Sequence, residues 1–114
     1  LYRYDPAKHE LLLEQARDLR PFCGFQTQMH TTAPVVLIPV SDSAKMKAKK
    51  FPADRIAVYA PMHIGFVVQN IYLYAASGGF ATVVCGAVDT KKLAGEMKLP
   101  GDSLLYVTMP FGRE

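Results

Sequence analysis

The chain contains no tryptophan and only two cysteines, Cys23 and Cys85, among its 114 residues. Two cysteines make no disulfide framework, and their spacing is not that of a metal site. Since no secretory signal is visible either, a reducing compartment follows, and the predicted location is the cytoplasm.

Charge is also scarce: charged residues make up 20% of the chain, and the formal net charge is +3. No long basic stripe interleaved with aromatic residues is present, which argues against nucleic acid as a partner. No pair of acidic residues has the surroundings of a general acid and base. His9, His30 and His63 are not at metal-ligand spacing to another histidine or cysteine. Composition and motifs therefore point to no hydrolytic or metal-dependent chemistry.

A membrane-spanning segment is not expected. The longest candidate, Ile64–Ala76, is shorter than the roughly 20 residues that a bilayer requires, and it contains Gln69 and Asn70. We therefore expect a soluble protein that makes no membrane contact.

What the sequence has is a large apolar share, 50% of its residues. A chain of this length forms one domain and buries roughly 65% of the surface that its unfolded form exposes. So many apolar residues on so small a domain suggest a partner subunit or a buried ligand. The chain opens on Leu1, inside a predicted strand and without a methionine, so we expect it to be a fragment of a longer protein.

The residue patterns predict an α+β domain with the order β-β-α-β-α-α-β-α-β. Asp5-Pro6 is a turn signal and predicts a hairpin. A run of β-branched residues, apolar on both faces, predicts a central strand, and Gly78-Gly79 predict a left-handed helix cap. The predicted strands are Tyr2–Tyr4, Glu10–Leu13, Ala33–Val40, Phe80–Ala87 and Ser103–Gly112. The predicted helices are one over Leu13–Phe22 that stops before Pro21, one capped by Ser41 or Ser43, one over Pro61–Ser77, and one capped by Asp89.

The helix that follows Pro61 carries apolar residues around its whole circumference, which predicts burial on every side. Its amides Gln69 and Asn70 would then need hydrogen-bond partners, because each unpaired amide costs about 1–3 kcal/mol. A neighbouring loop, a facing subunit or the polar edge of a cofactor could supply those partners.

Three other features each allow two interpretations. The lysines that follow Ser43 form a phosphate site or, without a glycine-rich loop, a solvated helix. His63 reaches a ligand or is a partly buried side chain bonded to backbone. Cys85 is redox-active or simply a small apolar residue at a strand end. The second interpretation is favoured in each case.

Two segments, His63–Leu93 and Leu99–Gly112, resemble the C-terminal half of the nitroreductase family. That family shows a central helix with a Gln-Asn pair, a glycine-leucine-glycine-threonine-like turn, and a last strand ending in proline, an apolar residue and glycine. Here the turn is Gly79–Thr82 and the strand ends at Pro110–Gly112.

The front of the chain extends the resemblance to essentially all 114 residues. Within the family it is similar to the branch of azoline-oxidising, SagB-like dehydrogenases. The segments that carry this similarity are Leu1–Leu13, Asp18–Arg20, a glutamine at 26 or 28, and Ala33–Val40.

The resemblance implies an obligate homodimer, with FMN at the subunit interface and hydride transfer from NAD(P)H through the flavin to a small acceptor. A partner subunit would then cover the apolar central helix. The residues matching the flavin-edge segment are Val83, Val84, Cys85 and Gly86, whose backbone would contact the ring while the flavin does the electron chemistry. Arg113 loosely matches the basic residues with which relatives hold the FMN phosphate, and an exposed terminal arginine with no such role is the alternative. No side chain is predicted to be catalytic.

Several family features are missing from the chain. No segment matches the N-terminal arginine cluster for the FMN phosphate, Ala81 replaces the usual second glycine of the turn, and Pro61 interrupts a helix that is normally longer. A phosphate needs several donors. The alternative function is therefore a shortened, non-catalytic dimerisation or ligand-binding module that has lost tight flavin binding.

Overall fold

A computed structural model describes residues 1–113 of the chain. Its strands are β1 Tyr2–Asp5, β2 Glu10–Leu13, β3 Val35–Leu37, β4 Val40–Asp42, β5 Phe80–Thr82, β6 Ser103–Leu105 and β7 Met109–Arg113. Its helices are α1 Thr27–Thr32, α2 Ser43–Ala48, α3 Ala53–Gly78 and α4 Thr90–Glu96, with a short 3₁₀ turn at Arg20–Phe22. The predicted α+β class is confirmed.

The predicted hairpin is present as β1 and β2, paired antiparallel from Tyr2 opposite Leu13 to Asp5 opposite Glu10. The Asp5 carboxylate begins the turn by accepting the Ala7 N–H at 2.9 Å. This is the local side-chain bond through which aspartate favours turns.

The helix predicted over Leu13–Phe22 is absent. The segment is irregular and ends in the 3₁₀ turn, with Pro21 near its start. Asp18 explains the outcome, since its carboxylate accepts the Arg20 backbone N–H at 3.0 Å and the Arg20 Nη2 at 2.7 Å. These bonds, the side-chain one first, lower the pKa of Asp18 to about 2. The local bonds compete with helix formation. A short helix, α1, forms later instead and was not predicted.

The predicted central and closing strands are each divided in two. β3 pairs with β7, and β4 pairs with β6. Leu37 lies opposite Met109 and Val40 opposite Leu105, so Ile38 and Pro39 on one side face three residues, Tyr106 to Thr108, on the other. Pro39 has no N–H to donate to a ladder. The result is a β-bulge, a feature that commonly re-aims residues beside functional sites.

A second edge of β7 carries β5, so the three-stranded antiparallel sheet has the order β3-β7-β5. The β5–β7 register continues beyond Thr82 opposite Phe111 to an isolated bridge between Cys85 and Thr108. The predicted strand Phe80–Ala87 is thus shorter than expected but keeps its alignment as far as Cys85.

Caps agree with the sequence in two places and differ in a third. Gly79 has φ 68° and ends α3, as predicted. Asp89 caps α4 by accepting the Lys92 N–H, also as predicted. The cap of α2 is Asp42, whereas Ser43 is buried and its hydroxyl donates to the Asp102 carbonyl at 2.6 Å.

Helix α3 begins at Ala53, so Pro61 lies inside it and not in its first turn. Ile56 and Ala60, which precede the proline, are both buried. Because these two residues pack in the core, the helix continues through Pro61, which has no backbone N–H to donate within a helix.

Within this chain α3 buries a single stripe, which corrects the prediction of burial on every side. The buried residues are Ile56, Ala60, Ile64, Val68 and Ala75. Ile64 and Val68 pack with Met109 of β7. Gln69 and Asn70 are exposed, so they need no partner within the chain.

The 26-residue α3 is long and apolar enough to cross a membrane by length and composition alone. The length argument against a membrane span was therefore wrong. Core helices of globular proteins pass the same test, and α3 packs with its buried stripe on the strands of its own domain.

Candidate functional site: two adjoining clefts beside β5

Two concave regions adjoin each other between α1 and the segment that follows β5. The large cleft has a volume of about 940 Å³ and extends from α1 to the end of β7. The small cleft has a volume of about 280 Å³ and lies against residues 83–87. Gln26, Met29 and Val83 line both. The large cleft is within the size range of sites for small molecules and cofactors.

All five residues predicted for the flavin site line these clefts. Val83, Val84, Cys85 and Gly86 line the small cleft, and Arg113 lines the large cleft, which Val83 also borders. The structure therefore brings the segment and the distant arginine to one continuous concave surface. The tertiary link is β7, which pairs with β5 and carries Arg113 at its end.

Most backbone N–H groups along this wall are already used. The Val84 N–H donates to the Tyr72 hydroxyl of α3 at 2.6 Å. The Cys85 N–H donates to the Thr108 carbonyl at 2.8 Å, and the Thr108 N–H returns a bond to the Cys85 carbonyl at 3.0 Å. The wall is therefore held by α3 on one side and by the bulge on the other.

Gly86 differs from its neighbours. Within residues 1–113 its N–H has no hydrogen-bond acceptor, while its carbonyl accepts the Val88 N–H at 3.0 Å. Apart from Gly86 itself and its two chain neighbours, no atom of residues 1–113 lies within 4 Å of the position that a Cβ on Gly86 would occupy. The glycine thus leaves open space in the small cleft and a free donor for a bound molecule.

The Cys85 thiol is half-buried in the same wall. Desolvation raises its pKa above the ordinary thiol value. Only the thiolate is a strong nucleophile, so at neutral pH this side chain is a small apolar lining residue, as the sequence favoured.

Arg113 gives the large cleft its positive charge. It is the one Lys or Arg among the residues of 1–113 that line that cleft. Its guanidinium carbon lies 5.9 Å from the centroid of the Phe80 ring, a stacking contact that leaves the planar edge of the group available to an anion.

His30 is a lining residue of the small cleft that the sequence did not single out. It is 1% exposed, and its ring nitrogens lie 3.1 Å from the Gln26 carbonyl oxygen and 3.1 Å from the Thr108 hydroxyl oxygen. An isolated histidine in a short, unpredicted helix carries no sequence pattern that could have pointed to it.

Other residues considered from the sequence lie outside the clefts. His63 is exposed and stacks on Tyr59, with ring centroids 6.2 Å apart. Two of the lysines pair with aspartates, Lys45 with Asp42 and Lys47 with Asp102. In the described part of the chain no group of three or more His, Cys, Asp or Glu could hold a metal ion.

The fold and the clefts define an α+β domain whose open ligand site is lined by a strand end and a glycine. Comparison with known proteins identifies the family to which this domain belongs. The model of the nitroreductase family matches residues 1–113, and the chain belongs to that family.

Two relatives agree with the assignment. A protein of the archaeon Methanocaldococcus jannaschii, named as a nitroreductase, is 30% identical over 117 residues, which cover 100% of this chain and 57% of that protein. A crystal structure of a protein from Ralstonia eutropha JMP134, described as a nitroreductase, has 33% identity and a TM-score of 0.85, covering 98% of this chain. This chain spans 52% of that structure, about half the length of the relatives it matches.

Proposed function

We propose that this chain forms one half of an FMN site in a homodimeric, NAD(P)H-dependent oxidoreductase of nitroreductase type. The acceptor would be a small molecule such as a quinone or a nitroaromatic. The observation that carries the proposal is the cleft wall at Gly86, which combines open space with an unused N–H. Family membership supports a flavin as the molecule that occupies it.

The residues present suit a planar ring. Glycine lets a ring approach the backbone closely, and the Gly86 N–H is free to donate to a ring atom. Val83 and Met29 add apolar lining beside it. When bound, FMN would supply the hydride and electron chemistry between a nicotinamide and the acceptor. The lining backbone at Gly86 would orient the ring.

Arg113 is the residue of this chain that we assign to the FMN phosphate. A phosphate carries nearly two negative charges and favours the planar fork of arginine. One cationic side chain is not enough for such a group. The proposal therefore needs further hydrogen-bond donors from a partner subunit or from a segment that corresponds to the part of the relatives that this chain does not span. Assignment to the C-terminal half of the family fold and to the SagB-like branch belongs to the same proposal.

The single cation at the large cleft also favours a second candidate. A shortened relative that keeps the dimer core but no longer holds FMN tightly would serve as an assembly or ligand-binding module. The two candidates differ in one property, which is flavin affinity.

Titration of the purified chain with FMN, followed by flavin fluorescence, tests the proposal. We expect saturable binding, yellow protein, and oxidation of NADPH when a quinone or nitroaromatic is added. A Gly86→Val variant should weaken FMN binding by about 10- to 100-fold, because overpacking costs roughly 1–3 kcal/mol.

Gly101→Val is the matched control, since a Cβ at Gly101 also meets no atom within 4 Å and Gly101 does not line either cleft. It should leave FMN affinity unchanged. Colourless protein that ignores added FMN would count against the enzyme proposal and favour the module, and equal effects of the two variants would remove Gly86 from the site.

A further inference from the structure

His30 is among the most enclosed side chains of the domain, at 1% exposure. Its ring lies against Gly24, where an added Cβ would overlap the imidazole carbon Cε1. The ring is therefore packed closely against the Gly24 backbone, and it lies between α1 and the bulge that holds Thr108.

Thr108 connects this histidine to the cleft wall. Its buried hydroxyl donates to the Cys23 carbonyl at 2.5 Å and lies 3.1 Å from His30 Nε2. The other ring nitrogen of His30, Nδ1, lies 3.1 Å from the Gln26 carbonyl, which can only accept, so the tautomer of the ring sets the direction of the hydrogen bond between Nε2 and the Thr108 hydroxyl. The backbone of the same threonine makes both bonds of the bridge to Cys85.

Thr108 lies in the bulge, among the three residues that face Ile38 and Pro39. At the other edge it continues the β5–β7 register by pairing with Cys85. Gly86, with its free N–H, is the next residue along the chain. The path from the His30 ring to the lining N–H thus passes through one side-chain bond and one backbone bridge.

We propose that His30 is a positioning residue for the ligand site: through the Thr108 hydroxyl it sets the place of the Cys85–Gly86 wall against which the ring of a flavin-like ligand lies. The identity of the ligand rests on the proposed function, whereas the control of the wall by His30 does not. A residue that served only as core filler would need volume at this position, not a ring nitrogen that hydrogen-bonds the Thr108 hydroxyl.

The chain offers two matched pairs that separate these roles. Thr108→Val keeps the shape of the side chain and removes the hydroxyl, while Thr108→Ser keeps the hydroxyl. His30→Gln places a side-chain amide near the position of Nε2, while His30→Asn places one near Nδ1, away from Thr108. Thr31→Val is the control for loss of a hydroxyl in the same region, because the Thr31 hydroxyl bonds only within α1, to the Thr27 and Gln28 carbonyls.

Two measurements are made on the full chain. Amide hydrogen exchange follows the Cys85 N–H, which donates to Thr108, relative to the Leu93 N–H, which donates to Asp89. This ratio corrects for a change in global stability and needs no ligand. FMN titration then gives the dissociation constant. We expect Thr108→Val and His30→Asn to speed Cys85 exchange relative to Leu93 and to weaken FMN binding, each by about tenfold, the effect of one lost hydrogen bond.

Thr108→Ser, His30→Gln and Thr31→Val should stay within about twofold of the wild type on both measurements. If Thr108→Val does not fold, the His30 pair makes the same comparison. Variants that lower overall stability while leaving the exchange ratio unchanged would overturn the proposal and leave His30 as core filler. If the wild type binds no FMN, the proposed function fails, and the exchange ratio still decides the role of His30.

Discussion

The two cysteines have the same side chain in different surroundings, and only the fold distinguishes them. Cys23 is 1% exposed within the main core cluster, and its thiol lies 3.4 Å from the Leu19 carbonyl. Burial raises the pKa of Cys23 from 9.0 to about 11, whereas Cys85 in the cleft wall is less enclosed and its pKa rises for the same reason. Both thiols are therefore neutral at physiological pH.

Because the Cys23 thiol is buried, we expect the folded protein to lose stability in alkali. In the unfolded chain the thiol ionises near pH 9.0 and in the folded chain near pH 11, so the unfolded state binds fewer protons between these values. The neutral thiol contributes on the order of 2 kcal/mol to the free energy of unfolding. This contribution is fully present below pH 9 and is lost as the pH rises towards 11. Urea unfolding of the wild type and of Cys23→Ala across this range measures it. A difference between the two proteins that does not change with pH would contradict the expectation.

At the residue level, the sequence named residues that line the clefts where a local backbone pattern marks them, and it did not single out a buried side chain that lines them. The segment from Val83 to Gly86 follows a glycine turn, a local pattern that a sequence displays. His30 and Thr108 are 78 residues apart and meet only because β7 folds back beside α1. Nothing in the neighbourhood of either residue could have indicated that contact.

At the scale of secondary-structure elements, predictions from local residue patterns were correct where a single residue determines the geometry. Asp89 caps α4, and Gly79 ends α3 in the left-handed conformation. The predicted strands were divided because Pro39 and the extra residue opposite it interrupt the ladder, and this depends on the pairing partner. The predicted helix over residues 13–22 failed because Asp18 bonds Arg20 locally.

Replacement of Gly79 tests the helix cap. Because φ at this position is 68°, Gly79→Ala should lower the free energy of unfolding by about 1–2 kcal/mol, the cost of a Cβ in the left-handed region. Gly79→Asn should cost less, since asparagine tolerates this conformation. Urea titration measures both losses. An unchanged slope of the unfolding free energy against urea concentration shows that only stability has changed. Equal losses for alanine and asparagine would show that the cap conformation is not the cause.

At the scale of the whole molecule, the main feature is the uncovered apolar face of α3. Its large exposed side chains are Val58, Met62, Phe66, Val67, Leu73 and Tyr74. Monomeric proteins rarely leave so continuous an apolar surface to water. The face supports the proposal that a second copy of this chain packs there, as the high apolar content suggested.

Phe66, 61% exposed on this face, offers the test. We expect the wild type to sediment as a dimer, and Phe66→Glu to weaken the dimer by at least about 100-fold, because an unpaired carboxylate would be buried at the contact. Leu11→Glu in the hairpin is the control, since Leu11 is 66% exposed on β2 and lies outside α3. Analytical ultracentrifugation over a concentration series gives both constants. A wild type that remains monomeric throughout would refute the dimer.

The sequence by itself determined the α+β class, the hairpin, two helix caps and the resemblance to the nitroreductase family, because turn residues, caps and motif order are local properties of the chain. Only the tertiary structure decided where the long apolar runs break, which face of α3 is buried, and how Arg113 comes to line the same concave surface as Gly86. The physical reason is that strand pairing and burial depend on residues far away in sequence. Location in the cytoplasm, which depends on neither, stays a prediction.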